Sequence, residues 1–369
     1  MTQIPYLDLS RARHAIESEL YVRWRSIADA NAFILGPEVK QFEQAFAAFL
    51  GATAVVGVGN GTDALVIALR ALGAGPGDEV LVPAFSFFAT AEAVVLVGAT
   101  PVFCDIDPAT FNLDPAELER RATPRTRGVV GVHLYGRPFD ADAIGAFCRA
   151  RGLWLIEDSA QAHGAKYKGR RVGTLGDLSA WSFYPTKNLG AFGDAGGVSG
   201  MDADLMRKVF RLANHGQTSR YHHVEIGTNS RLDSLQAAVL NLRLARLEED
   251  NARRRSLAAI YHEGLAGVGD LRFPLDRPED EPVFHQMTIA TARRDELQKF
   301  LAERGVGSSV HYPSPLHRQP ALAALLPAPP ELPHTERAAA QVLCLPMFAE
   351  LEPAEAAGAV DAVRAFYGA

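Results

Sequence analysis

The strongest constraint on this chain is an alternation. From residue 54 onward, short apolar runs trade places with segments of helical period. AVVGV, DEVLVPA, TPVFCDID, RGVVGVHLYG and LWLIEDSA read as strands, with ALVIALRALGAG, ATAEAVVLVG and ADAIGAFCRARG as helices between them. A strand that is apolar throughout, and not at every second residue, is covered on both faces. The fold class is therefore α/β, a mostly parallel sheet between helices. Upstream, GPEVKQFEQAFAAFLGA sets Val39, Phe42, Phe46 and Phe49 on one helix face, with Pro37 in the first turn.

The rhythm changes near residue 230. SRLDSLQAAVLNLRLARLEEDNARRRSLAAIYHEGL reads as one long helical stretch, with Leu232, Leu235, Val239 and Leu242 at helical spacing. A smaller α/β unit is expected beyond it. VFHQMTIA, VGSSVHYP and VLCLPMF read as strands, and RRDELQKFLAERG and AEAAGAVDAVRAFYG as helices. ALAALLPAPPELP reads as a surface loop. The expected division is a large domain over 1–250 and a small C-terminal domain over 251–369.

Composition excludes several classes. Net charge is −6 with acids and bases interleaved, so nothing marks a nucleic-acid surface. The most apolar window is broken by Pro83, Glu92, Gly98 and Pro101, so no membrane span is expected. The start, MTQIPYLDLS, lacks the pattern of a signal peptide. Cys104, Cys148 and Cys344 show no C-x-x-C spacing, which suggests reduced, buried thiols and a cytoplasmic protein.

Three elements point to chemistry. VGVGNGTDAL departs from the dinucleotide fingerprint at Thr62, and the chain has no GxxxxGK. What remains is a strand, a turn and a helix start. Free amides of Gly61, Thr62 and Asp63, with the Thr62 hydroxyl, suit one phosphate; a Thr N-cap without ligand is the alternative. Asp158 falls at the end of an apolar strand, where parallel sheets bind ligands, or else caps the next helix. Glu157 should face the other way, and no metal-ligand cluster accompanies the pair. Lys187 sits in SFYPTKNLGAFGDAGG, in a chain with only 6 lysines among its 37 Lys+Arg. In an apolar pocket it would be an amine nucleophile with a lowered pKa. Ser182 is a second phosphate candidate, and Gly190, Gly193, Gly196 and Gly197 would let the backbone turn close to a ligand. A phosphate turn, an acid and a buried lysine together are what pyridoxal 5′-phosphate requires.

GNGTDAL, VPAFSFFATAEAV, EDSAQAHGA, SFYPTKNLGAFGDAGG, GTNSRLDSLQAAVL and VHYPSPLH occur in this order across nearly the whole chain. The set resembles the DegT/StrS-type nucleotide-sugar aminotransferases. The resemblance implies fold type I, with a mostly parallel seven-stranded sheet. It implies that Lys187 holds the cofactor as a Schiff base, that Asp158 partners the pyridine nitrogen and that Gln161 meets the phenolic oxygen. Phe87 takes the place of a stacking aromatic that is Tyr or Trp in many relatives. Thr62, Asp63 and Ser182 fall where the family binds phosphate, and Asn229 matches an asparagine supplied by the neighbouring subunit of a homodimer. NHGQTSRYHHVEIGTNSRLD and SVHYPSPL are similar to enzymes that aminate C3 of a keto-sugar, nearest the UDP-3-keto-N-acetylglucosaminuronate type of O-antigen synthesis. There, residues matching Arg231, His311 and Tyr312 face the sugar. His311 as a plain strand-end residue, and His222 and His223 as a solvated pair, remain open. The implied reaction is ping-pong transfer from L-glutamate to a keto-sugar nucleotide, a 3-keto hexose first and a 4-keto hexose as the alternative, with Lys187 moving the proton. A desulfurase would need a mobile cysteine, and a ligand-binding regulator only the phosphate site.

Overall fold

A computed structural model describes residues 3–325 and 328–369. Seven strands form the central sheet: β1 Ala54–Val58, β2 Glu79–Pro83, β3 Thr100–Cys104, β4 Thr126–Val132, β5 Trp154–Asp158, β6 Leu178–Ser182 and β7 Gly196–Gly200. Their order is β1-β7-β6-β5-β4-β2-β3. All pairings are parallel except those of β7, which runs antiparallel to both β1 and β6.

Both faces are covered, as the unbroken apolar runs require. Val82, Val130 and Ile156 pack under helices Gly61–Ala71, Ala89–Leu96 and Ala203–Ala213. Their neighbours Leu81, Val129 and Leu155 feed the opposite face, with Ile144 and Cys148 of helix Ala141–Arg151. Further along that face, helix Pro37–Leu50 buries Phe42 and Phe46 against Trp181 and Phe183. Phe46 meets Trp181 edge-on at 5.1 Å, and Phe42 meets Phe183 at 5.2 Å. Each such contact contributes roughly 0.5–1.5 kcal/mol beyond burial. They pin Trp181 and Phe183 downward, so that Ser182, between them, faces the other way.

Three expectations fail locally. The long helical stretch is two helices, Ser234–Leu244 and Leu247–Leu265, and Leu232 lies before the first. VGSSVHYP is not a strand; Ser309 makes one bridge to Cys344 and the chain then leaves as coil. ALAALLPAPPELP is not simply surface, because Leu322 and Leu332 are fully buried in the core, though its residues 326–327 lie outside the described residues.

The C-terminal unit has a two-stranded antiparallel sheet, β8 Met287–Ala290 with β9 Val342–Leu345. Helices Leu247–Leu265 and Pro353–Tyr367 pack on it, and Ile4 joins this cluster from the other end of the chain. Among the described residues, no helix is long and apolar enough to cross a membrane.

Candidate active site

Because β7 runs antiparallel to both neighbours, β1 and β6 are parallel to each other across it. Val58 and Ser182 both pair with Gly196, so their carboxyl ends flank one residue. Only two residues separate β1 from helix Gly61–Ala71, and its first turn therefore stands beside Ser182. The contact is tight: a Cβ on Gly61 would lie 2.7 Å from the Ser182 Cβ. One on Gly196 would lie 2.3 Å from the Asn60 carbonyl. Glycine is what lets these backbones meet.

The N-cap is Asn60, not Thr62; its Oδ1 accepts from the Asp63 N–H at 2.8 Å. The Asp63 amide is therefore not free, and its carboxylate accepts from the Ser230 hydroxyl at 2.6 Å. Gly61 and Thr62 keep their amides without a protein acceptor among the described residues. With the Ser182 hydroxyl, two N–H groups and a helix N-terminus remain to hold a phosphate.

Asp158 ends β5 at the same sheet edge and is buried. Its Oδ2 accepts from the Thr90 hydroxyl at 2.8 Å, and its Oδ1 from the Ala160 N–H at 3.3 Å. Burial raises its pKa, while Thr90, Ala160 and the charge of Lys187 pull it back. Thr90, itself 2.8 Å from the Ser86 hydroxyl, was not singled out from the sequence. Its signal there was only a Thr in an alanine-rich helix start. Glu157 does face away: it accepts from the Gly173, Leu175 and Gly176 amides and meets His133 Nε2 at 3.0 Å.

Lys187 follows β6 on a loop whose backbone turns through a Lys187 N–H to Tyr184 carbonyl bond of 2.9 Å. The side chain is mostly buried, and Nζ makes no hydrogen bond among the described residues. Desolvation lowers the amine from 10.5 to about 8, against a pull upward from Asp158. The glycines after it play another part than expected. Gly190, Gly193, Gly196 and Gly197 have no positive φ; a Cβ on the first three would strike Pro185, Gln236 and Asn60, and one on Gly197 would crowd Phe183 at 3.2 Å. They serve close packing of protein on protein.

Gln161 is buried, accepting from the Tyr135 N–H at 2.6 Å and donating to the Tyr312 hydroxyl at 3.0 Å. The Phe87 ring is 56% exposed and 6.0 Å from that of Tyr312. Half-buried His311 feels the Lys187 charge; burial first, and that charge second, push its imidazole toward neutral. These groups thus gather around one lysine. Arg231 and Asn229 bond elsewhere. Arg231 binds Asn214 Oδ1 at 3.2 Å, and Asn229 is exposed, bridged to Asn214 through its backbone. His222 and His223 are exposed on a short hairpin. All three cysteines are buried, with thiols pushed upward by desolvation, Cys148 and Cys344 to about 12. None resembles a mobile nucleophile. No cluster of metal-binding side chains occurs among the described residues.

The residues fit pyridoxal phosphate on structural grounds: free amides at a helix start, a buried carboxylate fixed by a threonine, and an unpartnered amine on a mostly buried side chain. Fold and site together define a fold type I, pyridoxal phosphate-dependent aminotransferase. Residues 14–364 match the DegT/DnrJ/EryC1/StrS aminotransferase family, and the chain belongs to it. It is 46% identical over 362 residues to dTDP-3-amino-3,4,6-trideoxy-alpha-D-glucose transaminase of Streptomyces venezuelae, covering 98% of this chain and 96% of that one. It is 43% identical over 351 residues to UDP-2-acetamido-2-deoxy-3-oxo-D-glucuronate aminotransferase of Pseudomonas aeruginosa, covering 95% and 97%. The solved structure of S. venezuelae DesV, in complex with a ketimine intermediate, matches with TM-score 0.97 and 45% identity over 100% of both chains.

Proposed function

We propose that this aminotransferase moves an amino group from L-glutamate to C3 of a UDP- or dTDP-linked 3-keto hexose. The observation that carries the reading is Lys187: a buried amine lowered to about 8, beside Asp158, at the carboxyl edge of the sheet. Both named relatives handle nucleotide sugars substituted at position 3, one on dTDP and one on UDP. The shared position supports C3 and leaves the base open. Amino-sugar synthesis for cell-surface polysaccharide, such as O-antigen, in the cytoplasm is the corresponding role.

When bound, the cofactor supplies an electron sink for the donor's α-carbon. In this reading Lys187 provides the neutral amine that would take the donor's α-proton and return a proton at the cofactor's C4′. Asp158, aimed by Thr90, presents its carboxylate to the ring nitrogen and holds positive charge there. Gly61, Thr62 and Ser182 bind the phosphate, with Asp63 bracing the turn through Ser230. Gln161 donates toward the phenolic oxygen, and Phe87 covers the ring. Asn229 reaches the phosphate of a neighbouring subunit, which makes the protein a homodimer with shared sites. Arg231, His311 and Tyr312 face the sugar. The chain divides into a large cofactor-binding domain over 1–250 and a small C-terminal domain over 251–369.

The test is to convert the cofactor to its amino form with L-glutamate, then offer UDP- and dTDP-linked 3-keto and 4-keto hexoses. Return of the aldehyde absorbance with a 3-keto sugar is the expected result. Reaction with 4-keto sugars alone would sink the assignment to C3.

A further inference from the structure

Asn188, next to Lys187, is buried and has its amide fully used. Nδ2 donates to the Val283 carbonyl at 3.0 Å and to Asn251 Oδ1 at 3.0 Å. Val283's carbonyl can only accept, so the amide cannot be turned round, and Asn188 Oδ1 must face His285 Nδ1, at 3.1 Å. That oxygen accepts, so His285 carries its proton on Nδ1 and leaves Nε2 bare. Gln286 Nε2 lies 3.4 Å from this bare nitrogen and donates to it, while Gln286 Oε1 accepts from the Tyr6 hydroxyl. At the other end, Asn251 Nδ2 donates to the His163 carbonyl at 2.8 Å. Every donor points the same way, from Tyr6 to His163.

The chain of bonds ties the lysine loop to four other pieces: the N-terminal segment, residues 283–286, helix Leu247–Leu265 and the loop after β5 at His163. It requires a neutral imidazole at His285. The buried site, with Lys187 and Arg254 nearby, keeps it neutral. Arg254 is itself held by the Phe284 and Met347 carbonyls, each at 3.3 Å. Lys187 has no side-chain bond of its own to fix it, so its position rests on its backbone, and the buried anchor next to it in the chain is Asn188.

We propose that Asn188 and His285 are positioning residues for Lys187, holding the lysine loop against the C-terminal unit through a hydrogen-bond chain of fixed polarity. The inference rests on Lys187 being the cofactor lysine. Loss of either partner loosens the loop and admits water beside the amine. Since desolvation is the main cause of the lowered amine, the amine then titrates at higher pH.

Four holoproteins test it: wild type, Asn188→Ala, His285→Phe and His285→Asn, whose Nδ2 stands where the ring's Nδ1 donates. Each is reduced with borohydride and the labelled residue located by mass spectrometry, and the glutamate half-reaction is followed against pH. Label on Lys187 throughout is expected. Asn188→Ala and His285→Phe should slow the saturated rate about 10-fold with little change in KM, and shift the pH profile upward by roughly one unit. His285→Asn should restore both. If Asn188→Ala does not fold, the two His285 variants carry the same comparison. Label on Lys187 with variant profiles superimposed on wild type overturns the positioning role. Wild-type label on another residue instead overturns the reading of Lys187.

Discussion

Burial governs how Lys187 responds to pH. Its folded pKa, about 8, lies below the 10.5 of a free lysine. Between those values the unfolded chain binds a proton that the folded chain does not, so folding stability rises with pH through that window. At pH 7 the amine is charged in dry surroundings and costs stability. Lys187→Met should therefore raise the melting temperature of the cofactor-free protein at pH 7, by roughly 2 °C per kcal/mol recovered. The gain should fade toward pH 10, which a series of thermal melts would show; an equal gain at every pH would contradict the burial argument. Lys187, Asp158 and Ser182 were legible in the sequence because each sits in a local pattern, beside glycines or at a strand end. Thr90, Asn188 and His285 were not, because their meaning lies in partners far along the chain. The Thr90 hydroxyl is defined by Asp158, and His285 by Asn188.

At the scale of elements, the phosphate turn depends on how closely a helix start approaches a strand end. Gly61→Ala puts a Cβ 2.7 Å from Ser182 Cβ, and both are backbone-anchored atoms that must part. Titration with pyridoxal phosphate should show binding weakened about 10-fold or more, while the far-UV spectrum is kept. Binding equal to wild type would mean that the turn does not hold the phosphate. Strand-helix alternation was readable because apolar runs and helical periods are local signals. The break between helices Ser234–Leu244 and Leu247–Leu265 was not. Residues 244–247 hold no proline or glycine. There Arg243 is drawn into the core, with its Nη1 on the Gly190 carbonyl at 3.0 Å, and tertiary packing overrides helix propensity. Sequence shows that a glycine is present, and only the fold shows whether a ligand or a protein chain stands against it.

Across the whole molecule, several large apolar side chains stand exposed. Phe33, Ile34 and Leu35 are 42%, 53% and 43% exposed, and Ile226, three residues before Asn229, is 83% exposed. A second copy is the occupant that the proposed shared site demands. Mixing Lys187→Ala with Asn229→Ala, each inactive alone, should restore part of the activity. One site of each mixed dimer then has both Lys187 and a partner Asn229, and the other has neither. No recovery after confirmed subunit exchange would place Asn229 in its own subunit's site or in none. A surface of this kind is poorly legible in sequence, since an apolar residue bound for a partner reads like one bound for the core.

The antiparallel strand β7 has a consequence for the order in which the molecule is made. β1 is the first sheet strand to leave the ribosome, yet its only strand partner is β7, the last. Until Gly196–Gly200 has emerged, β1 has nothing to pair with, and the turn after it has no Ser182 beside it. The parallel core from β2 to β6 is free to assemble earlier, because its neighbours are already synthesised. The cofactor pocket is thus closed by a late insertion, so a nascent chain halted before residue 196 has its lysine but no finished cradle to load.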